Sequence, residues 1–219
     1  MRKILNSAPE FFILYILFIF TSIFLLSIFG KATIEIWCNS HNSPFFDKFF
    51  ALYTNVGDGI FATIITLIIL FYRTGYAIML AITNIVVGII SQLFKHQVFD
   101  NAVRPKVYFK GIYDLHFVEG VKVWSSNSMP SGHSATAFAI FLCLALFVKN
   151  SMLRILFFFM ALLVAYSRIY LSQHFLTDVT AGSLIGVIVV MVYYHFHLKI
   201  TAEWYNKPIY ALIKKSDLH

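Results

Sequence analysis

The sequence predicts an all-α integral membrane protein. It would be a six-transmembrane-helix bundle with a short interfacial helix and an extracytoplasmic active-site loop. Three observations predict this. First, the 219-residue chain is 59% hydrophobic and only 12% charged, with a mean hydropathy of +0.77. A soluble globular chain carries roughly 25% charged residues. Second, six apolar runs approach the ~17–25 residues needed to cross a bilayer core. Third, polar and ionisable residues stand at the ends of these runs, where they are costly and are functional candidates by default. The length suits a single domain, residues 1–219.

The first run lies near 11–29 and holds no charge. With Met1-Arg2-Lys3 before it, it looks like a signal peptide, but it is long and lacks a small-x-small cleavage site, so a retained span is expected. Ser43 followed by Pro44 is a cap with proline at the first helical turn. Phe46, Phe49, Phe50 and Tyr53 then recur at helical spacing, which predicts the interfacial helix. The second run lies near 56–72, with Asp58 at its mouth, and the third near 75–94. The longest polar segment follows, from Lys95 to Pro130, with Asp100, Arg104, Lys106, Lys110, Asp114, Glu119 and Lys122. A loop of that length in a compact protein is usually functional. Runs four, five and six lie near 131–148, 153–170 and 177–196. Gly182 and Gly186 form a G-x-x-x-G in the sixth, a pattern for close helix packing. The tail mixes Trp204, Tyr205 and Tyr210 with Lys207, Lys214 and Lys215, as a segment lying at the interface would. Cys38 falls in a polar loop and Cys143 in an apolar run, so neither a disulfide nor a thiolate metal site is expected. The net charge of +7 has no Lys/Arg stripe apart from the spans. That argues against nucleic acid and for anionic lipid or phosphate.

Spans alternate in direction. The end of run three, the start of four, the end of five and the start of six therefore share one face, and the suspicious residues all fall there. The opposite face carries Arg2, Lys3, Arg73, Lys149, Arg154, Lys199, Lys207, Lys214 and Lys215 on short connections and tails. The active face carries Lys31, Lys48, Lys95, Arg104, Lys106, Lys110, Lys122 and Arg168, mostly in longer loops. Weighting the short connections puts both termini in the cytoplasm and the site outside.

The residues on that face suit phosphate chemistry. Pro130-Ser131-Gly132-His133 opens a helix. Proline suits a first turn, Ser131 offers a hydroxyl, Gly132 admits close approach and the free N–H groups attract an anion. An ordinary helix cap is the plain alternative. His174 and Asp178 are four apart and share a helical face. A carboxylate beside an imidazole fixes its tautomer and frees the other nitrogen as base or nucleophile. A structural His–Asp hydrogen bond, or zinc held by His133, His174 and Asp178, are the alternatives; the surrounding Arg and Lys would repel a cation. Arg104, Arg168 and Lys95 can grip phosphate oxygens, or serve as snorkelling anchors.

Lys95…Arg104-Pro105, Pro130-Ser131-Gly132-His133, and Ser167-Arg168 with His174 and Asp178 together resemble the tripartite motif of the type 2 phosphatidic acid phosphatase and vanadium haloperoxidase superfamily, membrane branch. The Pro-Ser-Gly-His segment and the Ser-Arg…His…Asp segment match in full. In the lysine-to-arginine segment the family lysine would fall at Gln97. Lys95 stands two residues before it, as a loop insertion would place it, with Lys106 in reserve. The resemblance implies a two-step hydrolysis with no metal and no cofactor. His174 would attack phosphorus to form a phosphohistidine, Asp178 would orient it, and His133 would protonate the leaving oxygen. Lys95, Arg104, Arg168, Ser131 and the Gly132 N–H would hold the phosphate oxygens.

The implied substrate is a phosphorylated lipid of a bacterial inner membrane, with bilayer lipids as the other partner. The loop around Phe117-Val118-Glu119-Gly120-Val121 resembles bacterial members acting on lipid A. Undecaprenyl diphosphate, phosphatidylglycerol phosphate and phosphatidic acid are the alternatives. A vanadate-dependent haloperoxidase would be larger and soluble. A transporter or catalytically dead lipid-binding protein would not need so complete a catalytic set.

Overall fold

The computed structural model describes residues 2–211; Met1, Lys214 and Lys215 lie outside the described residues. Among the described residues there are helices and no strand. The main helices are α1 (Pro9–Ser40), α2 (Pro44–Tyr53), α3 (Gly59–Leu70), α4 (Thr74–Leu93), α5 (Gly132–Phe147), α6 (Ser151–Tyr170) and α7 (Leu176–His197).

Helix α1 runs past the expected end at Phe29 as far as Ser40. At Lys31 the apolar run stops but the helix does not. It breaks at Gly30 (φ 69, ψ 163) and resumes; glycine takes that positive φ without a Cβ penalty. Cys38 therefore sits on a helix and is buried, not in a polar loop as expected. Cys38 and Cys143 are unbridged.

The short helix before the second span forms as expected. Ser43 caps α2, accepting the Phe46 N–H at 3.4 Å, with Pro44 in the first turn. A 3₁₀ turn (Thr54–Gly57) links α2 to α3, which Asp58 caps by accepting the Ile60 N–H at 2.9 Å. The two halves bend by 58°.

All six expected runs are helical. Among the described residues, four helices are long and apolar enough to cross a membrane, or five if the bent pair is one span. The shorter helix is α5, with 16 residues. At 1.5 Å per residue it is about 24 Å long. Its residues from Ala137 to Cys143 are at most 1% exposed, because α4, α6 and α7 surround it. A helix sheathed in protein need not match the hydrocarbon thickness that a lipid-facing span must match. The G-x-x-x-G of α7 lies against it. A Cβ on Gly182 would collide with the Ser131 carbonyl oxygen, and one on Gly186 with that of Ala135. Glycine is therefore required at this crossing, as the pattern predicts.

The tail does not simply lie along the interface. Tyr205 is buried over Gly75 and its hydroxyl bonds His197 Nδ1 at 2.8 Å. Thr74 donates from both its N–H and its hydroxyl to the Lys207 carbonyl, at 3.0 and 2.7 Å. Trp204 and Tyr210 remain exposed.

Candidate active site

Four chain segments meet at one end of the bundle: the end of α4, the start of α5, the end of α6 and the start of α7. This is the shared face that span alternation predicts. A tight turn from Leu171 to Phe175 joins α6 to α7 and carries His174. The Gln173 and His174 N–H groups both donate to the Arg168 carbonyl, at 3.0 and 3.2 Å, so the turn is wrapped around the last turn of α6.

His174 is 2% exposed. Its Nδ1 faces Asp178 Oδ2 at 3.4 Å, an oriented electrostatic contact that falls short of a well-formed hydrogen bond. Its Nε2 lies 3.3 Å from Arg104 Nη1. Burial, aided by the Arg104 and Arg168 charges and opposed by Asp178, lowers the imidazole pKa from 6.5 to about 3. At neutral pH the ring is uncharged. With its proton on Nδ1 toward Asp178, Nε2 presents a lone pair beside a guanidinium.

Asp178 is fixed from three sides. Its carboxylate accepts from Ser128 Oγ, from the Phe175 N–H at 3.1 Å and from Thr177 Oγ1 at 3.1 Å. The Phe175 bond is the reach-back of a third-position carboxylate to the residue that starts the helix. The Asp178 carbonyl also accepts the Ser131 N–H at 2.9 Å, so α5 and α7 start in register.

Arg104 comes from the long loop. Its guanidinium donates to the Ser126 carbonyl at 2.9 Å, the Gln173 carbonyl at 2.9 Å and the Asn127 carbonyl at 3.4 Å. Burial lowers its pKa, an effect Asp178 partly offsets. Arg168 is 6% exposed. One of its nitrogens donates to Thr54 Oγ1, and its buried Nε–H has no hydrogen-bond partner. A buried guanidinium with a free N–H is well suited to accept an anion. Lys95 lies within electrostatic reach of Arg104, Arg168 and Asp178. Lys106 is instead exposed and lines a cavity of about 430 Å³ with Lys110, Tyr113 and Asp114. Of the two candidate lysines, Lys95 is the one within electrostatic reach of Arg104 and Arg168.

One expectation changes. Pro130 precedes the helix instead of occupying its first turn, since Ser131 is the cap. The Ser131 hydroxyl is fully buried and accepts from Ser134 N and Oγ at 3.4 and 2.9 Å, so its oxygen caps the helix while its own O–H is not spent on these bonds. Gly132 is the open position: nothing lies within 4 Å of where a Cβ would stand. His133 is at the rim, 32% exposed in its side chain, with Nε2 4.0 Å from Asp58 Oδ2. Among the described residues, no three of His, Cys, Asp and Glu gather closely enough to hold a metal ion, so the zinc triad is not assembled.

Sequence reasoning does not find Ser128, Gln173, Thr54 or Asn39. Ser128 gives a faint signal, as the last residue of the polar stretch Ser125–Ser128 just before the Pro-Ser-Gly-His. Thr54 and Asn39 give none, since both lie far from the motif in sequence.

The sequence profile of the PAP2 superfamily matches residues 73–202. A lipid A 4'-phosphatase of Bacteroides thetaiotaomicron is 25% identical over 172 residues, which is 75% of this chain and 76% of that protein. The crystal structure of Aquifex aeolicus LpxE is similar with a TM-score of 0.65 at 25% identity, over 76% of this chain and 93% of that one. A transmembrane PAP2 type phosphatidylglycerolphosphate phosphatase from Bacillus subtilis has a TM-score of 0.67 at 21% identity, over 90% of this chain and 98% of its own, which speaks for the fold alone.

Proposed function

The chain belongs to the PAP2 superfamily and is an integral-membrane lipid phosphatase, and from that premise we propose that it cleaves a phosphate from lipid A through a phosphohistidine, without a metal ion. The observation that carries the mechanism is the buried His174, with one ring nitrogen toward Asp178 at 3.4 Å and the other beside Arg104 at 3.3 Å. In this reading His174 Nε2 attacks phosphorus, and its Nδ1 proton turns toward Asp178 as the ring becomes positive. Arg104, Arg168, Lys95 and the N–H groups at the start of α5 take up the charge on the phosphoryl oxygens. Such positioning and neutralisation is most of what phosphoryl transfer requires. His133, at the open rim, protonates the leaving oxygen and then deprotonates the water that releases phosphate.

The choice of lipid A rests on the Bacteroides relative, matched over three quarters of both chains. The test compares kcat/KM on lipid A, undecaprenyl diphosphate, phosphatidylglycerol phosphate and phosphatidic acid in detergent. Lipid A is expected to lead; a clear lead by another lipid replaces it. Activity is expected to persist in excess chelator and to be inhibited by vanadate. Turnover that returns only with added zinc or magnesium would overturn the metal-free mechanism. We also place the protein in a bacterial inner membrane, with both termini cytoplasmic and the site periplasmic, on the basic residues of its short connections. In right-side-out spheroplasts, an impermeant thiol reagent should label Lys122→Cys; labelling only after lysis reverses the orientation.

A further inference from the structure

The N-terminal third of the chain lies outside the residues that the family profile matches, yet one of its side chains reaches the turn that carries His174. Asn39, in the last turn of α1, is 3% exposed. Its Nδ2 donates to Ser172 Oγ at 3.0 Å, two residues before His174. The same carboxamide clips the long loop through both of its ends. Nδ2 donates to the His116 carbonyl at 2.8 Å, and Oδ1 accepts the His116 N–H at 2.9 Å. A primary amide is the side chain that can do all three at once, because it carries two donors and an acceptor on one plane.

The two segments joined this way are the two halves of the site. The turn holds His174; the loop holds Arg104, whose Nη1 touches both His174 Nε2 and the Gln173 carbonyl. Ser172 adopts a left-handed backbone (φ 49) and is fully buried, so its placement depends on specific partners. One helical turn before Asn39, Glu35 is also fully buried on α1, and its carboxylate faces the same Ser172 hydroxyl. A polar face of this kind is expensive on a span and marks a functional position by default. The loop has a second tie nearby, since His116 Nε2 meets Asp47 Oδ2 at 2.9 Å and Tyr170 donates to Asp47 Oδ1 at 2.7 Å. That tie fixes the loop to α2 and α6 but does not reach the turn.

We propose that Asn39 is a positioning residue for phosphoryl transfer: its carboxamide sets the His174 turn and the Arg104 loop in one register. The proposal rests on the reading of His174 as nucleophile, and its test separates the two. The variants are Asn39→Ala, Asn39→Asp, which keeps size and the acceptor but loses both donors, Ser172→Ala, and the Asn39→Ala/Ser172→Ala double variant. Each is measured for kcat, KM and the inhibition constant of vanadate, which occupies the phosphoryl site. Asn39→Ala and Asn39→Asp are expected to lower kcat on the order of tenfold or more. Vanadate should weaken by a comparable factor, with KM for the lipid little changed, and the double variant should be no worse than Asn39→Ala. A role in folding alone would reduce the amount of active enzyme and leave the vanadate constant untouched. An unchanged vanadate constant in Asn39→Asp and Ser172→Ala, or additive losses in the double variant, overturns the proposal. If Asn39→Ala does not fold, Asn39→Asp and Ser172→Ala decide alone. Retained turnover in His174→Ala would instead sink the nucleophile assignment.

Discussion

The two halves of this chain contribute differently to one site. From α4 to α7, side chains meet the reacting phosphate in the proposed mechanism: Lys95, Arg104, His133, Arg168 and His174. From α1 to α3, side chains meet those side chains. Thr54 holds Arg168, Asp58 faces His133 and Asn39 holds the His174 turn. Chemistry is concentrated in one half and its alignment is shared with the other. Side-chain truncations in the first half should therefore slow turnover in graded steps, while those at the nucleophile and its cradle should come close to stopping it.

The largest effect is expected at the nucleophile. His174→Ala should lose at least about 10⁴-fold in kcat, as removal of a nucleophile typically does, while still inserting and binding vanadate weakly. Near-normal turnover by this variant would remove the distinction between the halves. Arg168→Ala comes next, at about 100-fold to 1,000-fold in kcat, the usual cost of deleting one preorganised donor to a developing oxyanion. Arg168→Lys should restore little, because one ammonium nitrogen cannot reproduce the spacing of two guanidinium nitrogens, one on Thr54 and one on the phosphate.

Thr54→Val carries the comparison into the N-terminal half. It keeps the shape of the side chain and removes the oxygen that accepts from Arg168. The guanidinium keeps its charge but loses one anchor, so kcat should fall by only about tenfold. Thr54→Ser should restore most of it. A loss as large as that of Arg168→Ala would mean that Thr54 does more than hold the guanidinium.

Much of this arrangement is legible in the residues themselves. The six apolar runs, the shared face and the cap at Ser43 follow from length, parity and local chemistry, each of which is written within a few residues. Beyond Phe29 the pattern misleads. Lys31 ends the apolar run, whereas the helix breaks at Gly30 and resumes, burying Glu35 and Asn39. Asn39 looks like a loop residue for that reason. At Ser131 a serine at a helix start suits both a cap and a phosphate ligand. Its burial against Ser134 depends on how α5 seats under α7, which no local pattern records. Thr54 and Ser128 are ordinary residue types whose partners lie 114 and 50 positions away.

The smallest expected change is the response of His174 to acid. Its pKa is held down at about 3, mainly by burial, against 6.5 for a free imidazole. Between those values the unfolded chain takes up a proton that the folded site refuses. The contribution of this residue to stability is therefore complete above pH 6.5 and declines as pH falls toward 3. In the folded enzyme the ring itself should not titrate over the range in which free histidines do. With ¹⁵N-histidine-labelled protein in detergent, the resonance missing from His174→Ala should stay fixed from about pH 8 to about pH 5. A midpoint at the free-imidazole value would show the ring to be solvated. The half of the chain assigned to chemistry would then lack the neutral, buried nucleophile on which the division of labour depends.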